Sequence, residues 1–274
     1  MSQLCPVCGT SSHFECRTQD ADIYRCPECD HCFSDPNSLK SFEDYGTEYY
    51  EETHQNWFKK PNIALFKAIS KAIAYHKQDA TVLDVGCGRG DLLKYLRREN
   101  PSLSLTGIDL ISNEPVDGIE FLQTDILTTD MHQRYDVVMS FLAIEHVVDI
   151  QKFVSRLREM CVTDGIIILT TLNDRSVLYE SAKMLRRLGY KAAHDRLYSQ
   201  HHLNHFNVSS LKRLMKANGC SIVKTIFHNI PLAAVDFPSP SPALRMLLLC
   251  GVWATFAFGT LIRRTYLQTV ICKQ

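Results

Sequence analysis

The run Val82-Leu83-Asp84-Val85-Gly86-Cys87-Gly88-Arg89-Gly90-Asp91-Leu92-Leu93 constrains this chain more than any other stretch. A short apolar strand runs into a turn with glycines spaced G-x-G-x-G and then into a helical pattern. Glycine lets the backbone bend sharply there and lets a ligand lie against it without a Cβ in the way. About twenty residues further on, Gly107-Ile108-Asp109 closes the next apolar run with an acid, where a carboxylate can accept two hydrogen bonds from a ribose diol. A dinucleotide enzyme would share both features. However, the glycine spacing is not G-x-G-x-x-G, and Asp84 stands before the first glycine. A carboxylate at that point repels a pyrophosphate and suits a ligand carrying an ammonium and a sulfonium.

The surrounding chain reads as alternating strands and helices. Strands are expected at Thr81–Val85, Ser104–Asp109, Ile119–Gln123, Tyr135–Ser140 and Gly165–Thr170, with helices at Asp91–Glu99 and Ile150–Met160. Such alternation argues for βαβ units around a parallel sheet with right-handed crossovers. Before it, Ile63, Phe66, Ile69 and Ile73 recur at helical spacing, with Pro61 suited to a first turn. After it, Ser209–Asn218 reads as a helix stopped by Gly219, followed by strands at Ser221–Phe227 and Tyr266–Cys272. No internal repeat is visible.

Eleven cysteines in 274 residues would suggest disulfides in a short secreted chain, but six crowd into the first 32 positions in close pairs. Residues 1–20 lack the basic start and apolar core of a secretory signal, so a reducing, cytoplasmic setting is expected. Cys5-Pro6-Val7-Cys8-Gly9 and Cys26-Pro27-Glu28-Cys29 are two C-P-x-C pairs, the pattern by which tight turns deliver four thiolates to a tetrahedral zinc ion. Cys32 could replace Cys26 in the second pair, but the repeated proline favours 26/29, with Cys16 and His31 as spare candidates. Four thiolates leave no open coordination position, so a structural role for Zn2+ is expected. The domain reading is therefore a zinc-ribbon-like four-cysteine unit at 1–36, a polar and aromatic linker at 37–60 containing Tyr45, Tyr49, Tyr50 and Trp57, and a large α/β unit at 61–274.

With the glycine loop and Asp109 in place, Val82–Leu93 closely resembles motif I of the class I S-adenosylmethionine-dependent methyltransferases. Gln123-Thr124-Asp125-Ile126 resembles the segment after that family's third strand. Tyr135–Ser140 with Ile144-Glu145-His146-Val147 resembles its fourth strand and the "EHV" sequel. His202-Leu203-Asn204-His205-Phe206 with Ser209-Ser210-Leu211 resembles the segment before its sixth strand. The similarity is greatest to the ubiquinone-pathway O-methyltransferases and related enzymes of glycan and lipid biosynthesis. It implies a Rossmann-like, seven-stranded, mostly parallel sheet with helices on both faces. It also implies that Asp84, Gly86, Cys87, Gly88 and Gly90 cradle the methionine moiety of S-adenosyl-L-methionine, Asp109 the ribose, and Asp125 with Ile126 the adenine.

Methyl transfer from a sulfonium needs alignment and, for a hydroxyl acceptor, a base. His146, just past the fourth strand, is the candidate base, against the plainer reading of a cap or a packing partner for Glu145. In the ubiquinone-pathway relatives an E-x-x-E-H run is thought to hold a divalent ion. Glu145 and His146 match its last two positions, but Leu142 stands in the first, which leaves too few oxygens. Tyr198, His202 and His205 are candidates to line the acceptor pocket, or else to buttress a loop.

The stretch 243–262 is nearly unbroken apolar, with Arg245 near its start and Arg263-Arg264 after it. It can be read as a membrane span, a buried core helix, or an in-plane element on a membrane surface, led in by Pro238, Pro240 and Pro242. The last reading would put the protein peripherally on the inner face of a membrane. Lys and Arg together equal Asp and Glu, so no global positive field recruits nucleic acid. The expected activity is S-adenosylmethionine-dependent methylation, most simply at oxygen, of a small-molecule, glycan, lipid-linked or quinone-like acceptor. A zinc-ribbon rRNA methyltransferase and a non-catalytic cofactor-binding interaction protein are the rival readings.

Overall fold

The computed structural model describes residues 2–39, 60–235 and 241–274. Tyr45, Tyr49, Tyr50 and Trp57 lie outside the described residues, as do Pro238 and Pro240.

A seven-stranded sheet forms the centre of the large unit. Its parallel part comprises β5 (Thr81–Val85), β6 (Ser104–Asp109), β7 (Ile119–Gln123), β8 (Tyr135–Phe141) and β9 (Cys161–Leu172). The final strands β11 (Ser221–His228) and β12 (Leu267–Lys273) join antiparallel, giving the order β11-β12-β9-β8-β5-β6-β7. The expected seven-stranded, mostly parallel sheet is what forms. Along β5 the side chains alternate between faces, Val82 toward one apolar core and Leu83 and Val85 toward the other. Helices cover both faces, as a parallel sheet requires. On one face lie α1 (Ile63–His76) and α2 (Asp91–Glu99), burying Leu65, Ile69, Leu93 and Leu96. On the other lie α3 (Ile150–Met160) and α6 (Val208–Ala217), burying Phe153, Leu157, Leu211 and Leu214. Between β9 and α6 the chain forms α4 (Val177–Arg187) and the short α5 (Ala192–Leu197).

Local chemistry sets the helix ends. The Asp149 side chain accepts from Lys152 N at 2.9 Å and starts α3, while Asn207 and Ser210 form a reciprocal capping box on α6. Pro61 does not occupy the first turn of α1. Asn62 is its cap, accepting from Leu65 N at 3.2 Å, so the proline sits one residue outside the helix.

The N-terminal unit is a small antiparallel sheet of β1 (Gln3–Leu4), β2 (Ser11–Arg17), β3 (Asp22–Arg25) and β4 (Cys32–Ser34). It is not a free-standing satellite. Its sheet continues into the large unit through β10 (Asn204–His205), which pairs antiparallel with β4. Cys5, Val7, Cys26, Cys29 and Phe33 share one core with Leu83, Val138 and Phe206. Buried charges reinforce the junction. Asp174, fully buried, accepts from Arg25 Nη1 and Lys183 Nζ, each at 3.0 Å, and from the Tyr198 hydroxyl. Burial alone would raise its pKa, but Lys183 and Arg25 hold it well below the usual carboxylate range.

Candidate cofactor and acceptor site

β5, β6 and β8 end at the same edge of the sheet, which is where open α/β sheets bind ligands. The turn after β5 carries Gly86, Gly88 and Gly90 at φ values of 74, 53 and 71°, all left-handed. At Gly86 a Cβ would also stand 2.5 Å from the Ala143 side chain, so glycine is required there by conformation and by space. Asp109, at the end of β6, braces this turn. Its Oδ2 accepts from Gly88 N at 2.7 Å and its Oδ1 accepts from Ile111 N at 3.2 Å. Each oxygen keeps a second lone pair, so the carboxylate can still receive a diol.

Asp84 ends β5 almost wholly buried, and its Oδ1 has no hydrogen-bond partner. Burial, and secondarily the negative charge of Asp109, pushes its pKa up to about 8. An orphaned buried carboxyl beside a glycine turn is the donor set that a cationic ligand would complete. The cavity lined by Asp84, Gly86 and Asp109 extends past Asp125 and Ile126, so the residues expected to face S-adenosylmethionine border one space.

His146 closes a short 3-10 turn, Ile144–His146, after β8, and lines the same cavity. Its Nδ1 donates to the His201 carbonyl at 2.6 Å, which leaves Nε2 as the basic nitrogen. The His202 ring lies 5.1 Å from it and also borders the cavity. Glu145 is buried, its Oε2 accepts from Thr171 Oγ1 at 2.8 Å, and burial pushes its pKa up to about 7. The Glu145 carboxyl is thus turned toward Thr171. Among the described residues, the one group of metal-ligating side chains is Cys5, Cys8, Cys26 and Cys29.

Two acceptor-pocket candidates are displaced from the cavity. Tyr198 and His205 are each 1% exposed and pack against each other at the junction with the N-terminal unit. The Tyr198 hydroxyl donates to Asp174, and His205 Nε2 lies 3.5 Å from Ser34 Oγ. Burial holds the His205 pKa down to about 3, so it is a neutral core residue. Residues that the sequence reading missed take part of the lining: Phe141, Leu142 and Ala143 after β8, and Tyr190 and Arg196 further along. Leu142 carries a left-handed φ of 56°, unusual for a residue with a branched side chain. The sequence signal for 141–143 is position at the carboxyl end of β8, whereas Tyr190, after α4, and Arg196, within α5, carry none.

The four thiols meet the dimensions of a tetrahedral ion. Sγ–Sγ separations are 3.6 Å for Cys5–Cys29, 3.4 Å for Cys8–Cys26 and 3.6 Å for Cys8–Cys29. Zinc–sulfur bonds near 2.3 Å imply edges of about 3.8 Å. Cys32 and His31 stand outside the cluster, Cys32 Sγ against Glu15 and His31 against Asn204.

Comparison with known proteins agrees with this geometry. Residues 62–225, more than half of the chain, match the family described as "Methyltransferase domain", and the chain belongs to that family. It is a class I S-adenosylmethionine-dependent methyltransferase. It is 27% identical over 163 residues to the ubiquinone biosynthesis O-methyltransferase of Rickettsia canadensis, covering 52% of this chain and 68% of the relative. The Bradyrhizobium diazoefficiens enzyme of the same name is 32% identical over 100 residues, 34% of this chain and 40% of its own length. The Haemonchus contortus phosphoethanolamine N-methyltransferase 2, solved with S-adenosyl-L-methionine, shares the fold with a TM-score of 0.58 at 17% identity, over 86% of this chain and 61% of that one. The Burkholderia thailandensis 1,6-didemethyltoxoflavin-N1-methyltransferase, solved with S-adenosylhomocysteine, does so at 0.54 and 14%, over 91% and 98%.

Proposed function

We propose that the chain O-methylates a hydroxyl of a small-molecule acceptor of quinone-like, glycan or lipid-linked type, with His146 as general base. The hydrogen bond from His146 Nδ1 to the His201 carbonyl carries this reading, because it turns a basic Nε2 to account beside the cofactor loop. In this reading Asp84 and the 86–90 turn hold the amino-acid end of S-adenosylmethionine, Asp109 its ribose, and Asp125 with Ile126 its adenine. The bound cofactor supplies a methyl group already activated on a sulfonium. His146 Nε2 takes the acceptor's hydroxyl proton as the oxygen attacks, and His202 borders the acceptor. The O-methyltransferase names of the relatives support an oxygen acceptor. Cys5, Cys8, Cys26 and Cys29 hold Zn2+ in a structural role in this reading, since their four thiols meet and leave no open coordination position.

Calorimetric titration with S-adenosylhomocysteine, together with turnover on quinol and glycan acceptors, tests the assignment. Asp109→Ala should lose cofactor binding. His146→Ala should keep it and lose transfer by about 10²–10⁴-fold. Normal affinity in the first variant overturns the cofactor site, and unchanged turnover in the second overturns the base.

A further inference from the structure

Helix α7 (Pro242–Leu261) lies between β11 and β12. Its sequence has no acidic residue, its most apolar window has a mean hydropathy of 1.6, and only 11% of that window is buried. The core-helix reading therefore fails. Trp253 is 61% exposed, and Met246, Leu247, Phe258 and Leu261 are also more than half exposed. The apolar surface continues onto α4, which packs against α7 and leads into exposed Met184, Leu188 and Tyr190. Contiguous apolar patches of this kind mark an interaction face.

Charge and attachment say what covers it. Arg245 lies in the first turn of α7, Arg263 and Arg264 follow its end, and Arg187 and Lys191 border the α4 patch. Arg264 Nη2 lies 3.9 Å from Glu180 Oε1, so the cationic excess among the described residues of the rim rests on Arg245, Arg263, Arg187 and Lys191. An apolar stripe so bordered complements a layer of anionic headgroups over an acyl interior. The helix cannot cross that layer, because its C-terminal half is fastened to the sheet unit. Asn229 Nδ2 donates to the Phe256 carbonyl at 3.1 Å and to Thr260 Oγ1 at 3.0 Å, and Phe256 is buried. At Gly259 a Cβ would stand 2.7 Å from the Arg264 carbonyl oxygen, and the chain then enters β12 at Leu267.

We propose that α7 and the end of α4 seat the protein in the plane of an anionic phospholipid surface. The cavity that contains Asp84, Asp109 and His146 is also lined by Leu248, Gly251 and Val252 of α7, so it opens beside this face. An acceptor with a lipid tail can then reach His146 without leaving the bilayer. That last clause rests on the proposed O-methylation, whereas the docking itself does not.

The test uses the full chain with Trp57→Phe, which leaves Trp253 as the one tryptophan. The protein should float with phosphatidylglycerol-containing vesicles, far less with pure phosphatidylcholine, and Trp253 emission should shift to the blue. Added Met246→Glu and Leu261→Glu should abolish flotation and shift while leaving S-adenosylhomocysteine binding intact, which shows the variant is folded. Absence of flotation on anionic vesicles overturns the proposal, as does undiminished flotation of the variant. A blue shift without vesicles that grows with protein concentration, alongside a dimer in sedimentation, overturns it in favour of a second copy of the chain. Flotation without any methyl transfer leaves docking standing and sinks only the acceptor reading.

Discussion

The proposed cofactor role of Asp84 would link binding to pH. In the free protein its carboxyl has a pKa of about 8, through burial and then through Asp109, so it is largely protonated at neutral pH. A ligand bringing a positive charge favours the carboxylate, and binding must then release the proton. Below about pH 8 the free form carries a proton that the complex lacks, so affinity for S-adenosylmethionine should rise with pH, by up to about tenfold per unit. Calorimetry in buffers of differing ionisation heat should register that release, and Asp84→Asn should remove it while weakening binding. Affinity that is flat between about pH 6 and pH 8 would sink this account. Stability follows the same group with a definite sign. The folded pKa lies above the unfolded value near 3.9, so the contribution of Asp84 is present at low pH and is lost as pH rises toward 8. His205 acts in the other direction. Its folded pKa of about 3 lies below the ordinary 6.5, so its contribution is lost as pH falls through that window.

Strand β4 positions the candidate base through a short relay. Ser34 N donates to the Leu203 carbonyl at 2.9 Å and Ser34 Oγ to the His202 carbonyl at 3.1 Å. Leu203 N donates to the Glu145 carbonyl at 2.8 Å, and the neighbouring His201 carbonyl holds His146. If His146 is the base as proposed, Ser34 is a positioning residue, acting through a loop rather than on substrate. Ser34→Ala removes the hydrogen bond to the His202 carbonyl and the longer one to His205 Nε2, each worth about 0.5–1.5 kcal/mol, and kcat should fall by about tenfold. KM for the cofactor should not move, and the pH–rate profile should shift on its acidic side, where His146 must lose its proton to act as a base. A loss confined to thermal stability, with kcat and profile intact, would make Ser34 merely structural. The relay was not legible in the sequence, and the reason is separation along the chain. β10 has two residues and exists only because β4, about 170 positions earlier, pairs with it. The core strands were legible because apolar runs bounded by turn signals are local. Where β9 departs from Gly165–Thr170 and begins at Cys161, a left-handed Asp164 and a register shift against β8 carry the strand through what reads as a turn. Whether Tyr198 and His205 line the pocket or buttress a loop stays open in the sequence for a related reason. A polar aromatic near a site motif can face a pocket or a buried carboxylate, and only the fold decides between Asp174 and solvent.

At the scale of the molecule, the N-terminal unit and the methyltransferase unit should unfold together. The continuous β4–β10 pairing, the shared core and the buried Asp174 cluster each cross the junction. Arg175 Nε and Asn207 Nδ2 add hydrogen bonds of 2.6 Å to the Asp30 carboxylate and carbonyl. Independent domains would be joined by a few polar contacts and would melt separately. Zinc binding at four thiolates contributes about 10–16 kcal/mol in small domains, and here that energy would be felt by the whole cooperative unit. Chelation should therefore lower the melting temperature of the entire protein in one transition and weaken S-adenosylhomocysteine binding. Arg25→Ala, which leaves the buried Asp174 short of a cation, should cost roughly 3–5 kcal/mol in that same transition. Circular dichroism following the helices, read against cofactor binding over one temperature ramp, distinguishes the cases. Two separated transitions, with the methyltransferase unit indifferent to chelator, would make the cysteine unit an independent module and remove it from the support of His146.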